Sequence, residues 1–215
     1  YGAGKRRHIA KKRNYAHAKT IHVQSIPKVS RSTAYLVMES PQVIIFSGPH
    51  GAGKDSLERM FTSHHPQAKR LVRYTTRPRA EDEIDGVTYH FITPRIFEEM
   101  VAQGKFIEYS TYPDGSSGTL SSDLRIQLTT NHPICTTMNL EDGLALSRKL
   151  QVLNIAYQCL FIGPCSRETM LNHPEKYAEI LTRRMVKRNR SSDNINARIK
   201  KAQLYRELYI AYSDS

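Results

Sequence analysis

"SGPHGAGKDS", residues Ser47 to Ser56, decides how this chain is read. Gly48 to Lys54 fits a phosphate-binding loop, G-x-x-x-x-G-K, in which successive backbone N–H groups and a helix N-terminus converge on one anion. Gly51 and Gly53 allow close backbone approach, and Lys54 bridges the outer phosphates. The pattern next wants a hydroxyl to hold Mg²⁺; here Asp55 stands there, followed by Ser56. Upstream, "QVIIF" is short, apolar and β-branched, as a buried parallel strand requires. Downstream, "DSLERMF" places Leu57, Met60 and Phe61 at helical spacing. Strand, loop and helix in that order give the short motif its credible context.

Further along, "RYTTRPRAEDEIDGVTYHF" runs from Arg73 to Phe91, and "GKFIEYSTYPDGSSGT" from Gly104 to Thr119. Together with the phosphate loop these stretches resemble guanylate kinase, whose pattern is a TTR-x-PR segment, a GxxYxF segment and an FIE…YGT segment in that order. The likeness continues into "TRRMVKR" and "INARIKKAQ" and covers about Gln42 to Gln203. It implies an α/β fold: a P-loop NTPase-type parallel sheet flanked by helices, with an inserted, largely antiparallel GMP-binding subdomain and a helical lid. The expected layout is a basic arm over 1–40 and a guanylate-kinase-like domain over 41–215. Within it the subdomain covers about 73–123 and the lid about 164–193.

The resemblance assigns roles residue by residue. Gly48, Gly51, Gly53, Lys54, Asp55 and Ser56 line the ATP side. Arg77 grips the GMP phosphate, and Tyr89 hydrogen-bonds it. Glu108 reads guanine, because a carboxylate can accept two N–H groups from the edge of that base. Thr119 supplies a hydroxyl nearby. Arg184 and Arg188 are the lid arginines and Arg198 the arginine of the following helix; with Lys54 they are the catalytic charges. Packing by Tyr89 and a solvated basic face for Arg184 and Arg188 are the plainer readings.

Five features depart from the family pattern. Asp55 brings a negative charge to the outer phosphates, and like charges about 4 Å apart repel by about 4 kcal/mol at an effective dielectric near 20. An acid in a first helical turn is favourable by itself, so Asp55 is expected to bond the N–H groups of its own loop or turn. "TTRPR" lacks one residue, which moves Arg79, the second phosphate-gripping candidate, out of register. Ser117 stands where the pattern has a tyrosine. Thr137 and Asn139 occupy the places of acids in "PICTTMNLEDG", with Glu141 and Asp142 slightly late. The chain also stops at "YIAYSDS", where the pattern continues. Losing several positioned charges together removes several kcal/mol of transition-state stabilisation.

Charge is unevenly spread. Lys5, Arg6, Arg7, Lys11, Lys12, Arg13, Lys19, Lys28 and Arg31 precede Glu39, the first acid. That leaves 23 of the 32 basic residues against 20 acids in the remainder, a balance of +3 out of the total of +12. The arm has few large apolar residues and cannot bury enough surface to offset ordering entropy. RNA or a ribonucleoprotein surface is its expected partner, through Lys5, Arg6, Arg7, Lys11, Lys12, Arg13 and Lys19, because neutralised phosphates release counterions. A targeting segment and a solvated tail are the alternatives. The three cysteines have no metal-ligand spacing and point to a reducing compartment. No metal site is expected, and Mg²⁺ and ATP only if the chain is a kinase.

These readings sum to a guanylate-kinase-like protein of impaired catalysis, a structural part of a ribonucleoprotein assembly such as the mitochondrial ribosome. The expected location is the mitochondrial matrix, or otherwise the cytoplasm. The alternatives are an active guanylate kinase and a peptide-binding module of the same fold.

Overall fold

In the computed structural model the described residues are 42–112, 114–187 and 192–213. The arm and its seven candidate RNA-contact residues lie outside them, as does Arg188. Strand β1 (Val43–Ser47) leads through the phosphate loop into helix α1 (Lys54–His64), followed by β2 (Lys69–Arg70), β3 (Tyr74–Thr75) and β4 (His90–Phe91). Next come α2 (Pro94–Ala102), β5 (Phe106–Tyr112), β6 (Gly115–Leu120), α3 (Ser121–Leu128), β7 (Ile134–Met138) and α4 (Leu140–Val152). The chain closes with β8 (Tyr157–Phe161), α5 (Arg167–Asn172), α6 (Pro174–Val186) and α7 (Ser192–Ser213). No helix among the described residues is long and apolar enough to cross a membrane.

The main sheet has the order β2-β7-β1-β8 and is parallel throughout. β1 is central and its apolar residues serve both faces, as successive side chains of a strand must. Val43 and Ile45 pack with Leu146 and Leu150 of α4, whereas Ile44 and Phe46 pack with Leu57 and Phe61 of α1. That two-sided burial is why "VIIF" is a continuous apolar run rather than an alternating one. A second sheet, β4-β3-β6-β5, is inserted between α1 and α3. Its β5–β6 and β3–β6 pairings are antiparallel and its short β3–β4 pairing is parallel. A third cluster joins Tyr177, Leu181 and Met185 of α6 to Ala202, Tyr205 and Tyr209 of α7.

Two glycines set how close the layers come. A Cβ on Gly48 would lie 2.4 Å from the Ile162 carbonyl oxygen, and its φ of +146° is itself unfavourable for other residues. A Cβ on Gly143 would lie 2.7 Å from Ser47 Oγ, so the first turn of α4 rests directly on the end of β1.

Candidate nucleotide site

The phosphate loop follows the carboxyl end of the central strand, between two parallel neighbours, where an open α/β sheet has its crevice. Gly48, Gly51 and Gly53 all have positive φ, which folds the loop around its own amides. Lys54 Nζ donates to the carbonyls of Gly48 (2.9 Å) and Pro49 (2.8 Å). Arg184 reaches in from α6, with Nη1 2.9 Å from the Gly51 carbonyl and 3.1 Å from that of Ala52, and Nη2 3.3 Å from that of Pro164. Arg184 is therefore a clamp on the loop, and burial, then Arg183, pulls its pKa down. Asp55 behaves differently from the expectation of backbone bonding. Gly53 caps α1 without any side-chain bond, and Asp55 Oδ1 instead accepts from Thr137 Oγ1 of β7 at 3.2 Å. Ser56 is exposed beside it.

Across from the loop, the second sheet presents Glu108. Cross-strand register sets Glu108 of β5 opposite Thr119 of β6, and Thr119 Oγ1 donates to Glu108 Oε1 at 2.6 Å. Arg73, just ahead of β3, donates from Nη2 to Glu108 Oε1 and Oε2 (3.0 Å each) and to Asp142 Oδ2 (2.9 Å). All three charges are buried, at 5%, 6% and 0% exposure for Arg73, Glu108 and Asp142. Burial raises the pKa of Glu108 and the Asp142 charge raises it further, while Arg73 and the Thr119 hydroxyl oppose this. Buried acids of this kind persist only when paired and hydrogen-bonded.

Asp142 owes its place to the start of α4. Asn139 is the N-cap, its Oδ1 accepting from the Asp142 amide at 2.9 Å, and its Nδ2 donates to Asp142 Oδ2 at 3.1 Å and to the Tyr112 hydroxyl. Tyr112 OH donates in turn to Asp142 Oδ1 at 2.6 Å, and burial with that bond pushes its pKa up. The acid that arrives late in the sequence thus reaches the pocket, so an acid is not lost there. Ser117, in the place of the missing tyrosine, turns to Thr75 Oγ1 at 3.0 Å.

Arg77 and Tyr89 pack against each other. The Arg77 guanidinium lies 4.9 Å from the Tyr89 ring centre and 5.6 Å from that of Phe91, and it pairs bidentately with Glu83, Nη1 to Oε2 at 2.7 Å. Burial raises the Tyr89 pKa and the charge of Asp55 adds to it, while Arg73 and Arg77 oppose. Arg79 is exposed and makes a long 3.5 Å bond to the Glu83 carbonyl. Arg198 of α7 meets Asp114 at 2.5 Å beyond the end of β5. Lys201 pairs with Glu141 at 2.6 Å and stacks 4.7 Å over the Tyr112 ring.

Arg73 and Tyr112 escaped the sequence reading, in which Asp142 is only a late acid. One signal was present: residues 73, 75 and 77 share a face at strand period, as do 108, 110 and 112. Among the described residues no cluster of three or more His, Cys, Asp or Glu could hold a metal ion.

Comparison with known proteins adds the family. The guanylate kinase family model matches residues 40–205. A guanylate kinase of Syntrophotalea carbinolica is 41% identical over 83 residues, covering 39% of this chain and 40% of that protein. One from Nostoc sp. is 32% identical over 133 residues, covering 62% and 65%. The chain thus spans less than two thirds of the length of these relatives. The crystal structure of guanylate kinase from Anaplasma phagocytophilum aligns at a TM-score of 0.47 and 15% identity, over 80% of this chain and 85% of that one. With residues 40–205 of its 215 matched, the chain belongs to the guanylate kinase family.

Proposed function

We propose that the chain is a guanylate kinase in activity, transferring the outer phosphoryl group of ATP to GMP. The observation that carries this is that the chain has both a phosphate loop, with Lys54 on it and Arg184 clamped to it, and a second sheet bearing Arg77, which lies over Tyr89, and the buried Glu108. A phosphate loop with Lys54 and a separate cation at Arg77 suit two phosphorylated substrates, and this transfer rests on positioning and charge stabilisation. The loop amides cradle the ATP phosphates. Lys54 turns from the Gly48 and Pro49 carbonyls to the outer oxygens, and Arg77 exchanges Glu83 for the GMP phosphate. Arg184, already on the loop, holds it in register with the lid. Mg²⁺ entering with ATP would be held by Asp55, an exposed carboxylate of the hard-oxygen type that this ion takes, and would neutralise charge on the phosphates.

A second reading, the catalytically impaired interaction module, is favoured by the internal engagement of the same groups. Asp55 is bonded to Thr137, Arg77 to Glu83 and Lys54 to its own loop. The deciding measurement is ADP formation with ATP, GMP and Mg²⁺. The kinase reading expects turnover of about 1 s⁻¹ or more, within the ordinary enzyme range, reduced at least a hundredfold in Lys54→Ala. Turnover a thousandfold lower in the unmodified chain, unchanged by Lys54→Ala, would leave the impaired module.

A further inference from the structure

The carboxylate of Glu108 is already occupied. Arg73 Nη2 lies 3.0 Å from each of its oxygens, so this one nitrogen sits between them, on the face from which a ligand with two adjacent N–H donors would bind. Guanine offers such a pair at N1 and its 2-amino group, carried on an N–C–N unit like that of a guanidinium. Arg73 therefore presents to Glu108 an intramolecular copy of the base's donor edge, and the two cannot hold the same face at once. The hold of Arg73 is incomplete, however. A single nitrogen is shared over three acceptors, since it also meets Asp142 Oδ2 at 2.9 Å, whereas a matched fork makes two parallel bonds. Its Nε is buried and has no hydrogen-bond partner, in a side chain 5% exposed. A guanine edge would replace the shared contact by a fork.

We propose that Arg73 is the specificity-determining residue of this pocket: it holds the base's place at Glu108, and guanine nucleotides bind by displacing it. This rests on the reading of Glu108 as the base carboxylate. Displacement filters ligands, because only a base with paired donors restores what Glu108 loses. Adenine, with an acceptor at N1, does not. Arg73 also keeps two buried acids paired when no nucleotide is bound.

The test compares the full chain with Arg73→Ala by calorimetry and thermal unfolding, using GMP, AMP and millimolar guanidinium ion as probes. Arg73→Ala is expected to bind GMP at least about tenfold more tightly, a gain of about 1.4 kcal/mol, with AMP binding unchanged. Guanidinium ion at non-denaturing concentration should raise the Tm of the variant and leave the unmodified chain unmoved. Arg73→Ala leaves two acids uncompensated, so Arg73→Ala/Asp142→Asn, which keeps Glu108, carries the same measurements if the single variant does not fold. Equal or weaker GMP binding in the variants overturns the displacement proposal while the nucleotide reading stands. GMP binding to neither protein, with guanidinium still stabilising the variant, overturns the nucleotide reading and the proposal with it.

Discussion

At the residue scale, Glu58 is a charge buried at a cost. It sits in α1 at 1% exposure, with Arg70 Nε 2.8 Å from one oxygen and its other oxygen, Oε1, without a hydrogen-bond partner. Burial, opposed by Arg70, lifts its pKa from 4.5 to about 7. Between those values the folded chain binds a proton that the unfolded chain releases, so stability falls as pH rises through 4.5 to 7. Above that window the full cost applies, about 3 kcal/mol at 1.36 kcal/mol per unit. Glu58→Gln should therefore be the more stable protein at pH 8, by roughly 2–3 kcal/mol in urea unfolding, with the difference gone near pH 4. Equal midpoints at pH 8 would show that Arg70 compensates the charge fully. Thr119 gives the opposite case. Its hydroxyl serves Glu108 inside the protein, so Thr119→Val should cost about 1–3 kcal/mol, because a buried carboxylate loses a donor.

At the element scale, α4 is held on β1 by the absence of a side chain at Gly143. Alanine there would gain about 1 kcal/mol of helix propensity. Its Cβ would also sit 2.7 Å from Ser47 Oγ and 3.1 Å from Ser47 Cβ. Crowding wins, because overpacked cores lose about 1–3 kcal/mol. Gly143→Ala should lower the unfolding midpoint, and adding Ser47→Gly should recover part of the loss; additive effects in that cycle would mean that the two layers do not meet there. Elements such as β1, the loop and α1 were legible in the sequence because their signals are local: an apolar run, a glycine spacing, a helical stripe. The ion cluster was not. Arg73 meets partners 35 and 69 positions away on two other elements, and no local period encodes such a meeting. Glu108 and Thr119 were found through family likeness, and their pairing follows from β5–β6 register. The bond from Thr137 to Asp55 likewise depends on two strands being neighbours, which "ICTTM" alone does not reveal.

At the scale of the whole molecule, charge and fold separate. The nine basic residues ahead of Glu39 lie outside the described structure, and the rest is near neutral at +3. For RNA contact through about six of them, log K against log salt should fall with a slope of roughly −4 to −5. Deleting residues 1–40 should abolish most of that slope and leave the Tm in place; a truncated chain that keeps the slope would move the contact to the basic residues around Arg183. The topology of the main sheet reaches further, into how the chain is made. β1 pairs with β7 and β8, so Val43 must wait for Ile134 and Tyr157, 91 and 114 positions later. At synthesis rates of about 5–20 residues per second, the strand "VIIF" is without its neighbours for roughly 5–23 s. The β5–β6 hairpin closes within its own few residues and forms in microseconds once released. During translation, then, the second sheet has its antiparallel half before the first has any partner for its centre. A nascent chain halted when residue 125 has just cleared the ribosome should be cut by protease at β1 sooner than at the β5–β6 hairpin, which marks β1 as the unprotected, aggregation-prone segment on which a chaperone would act.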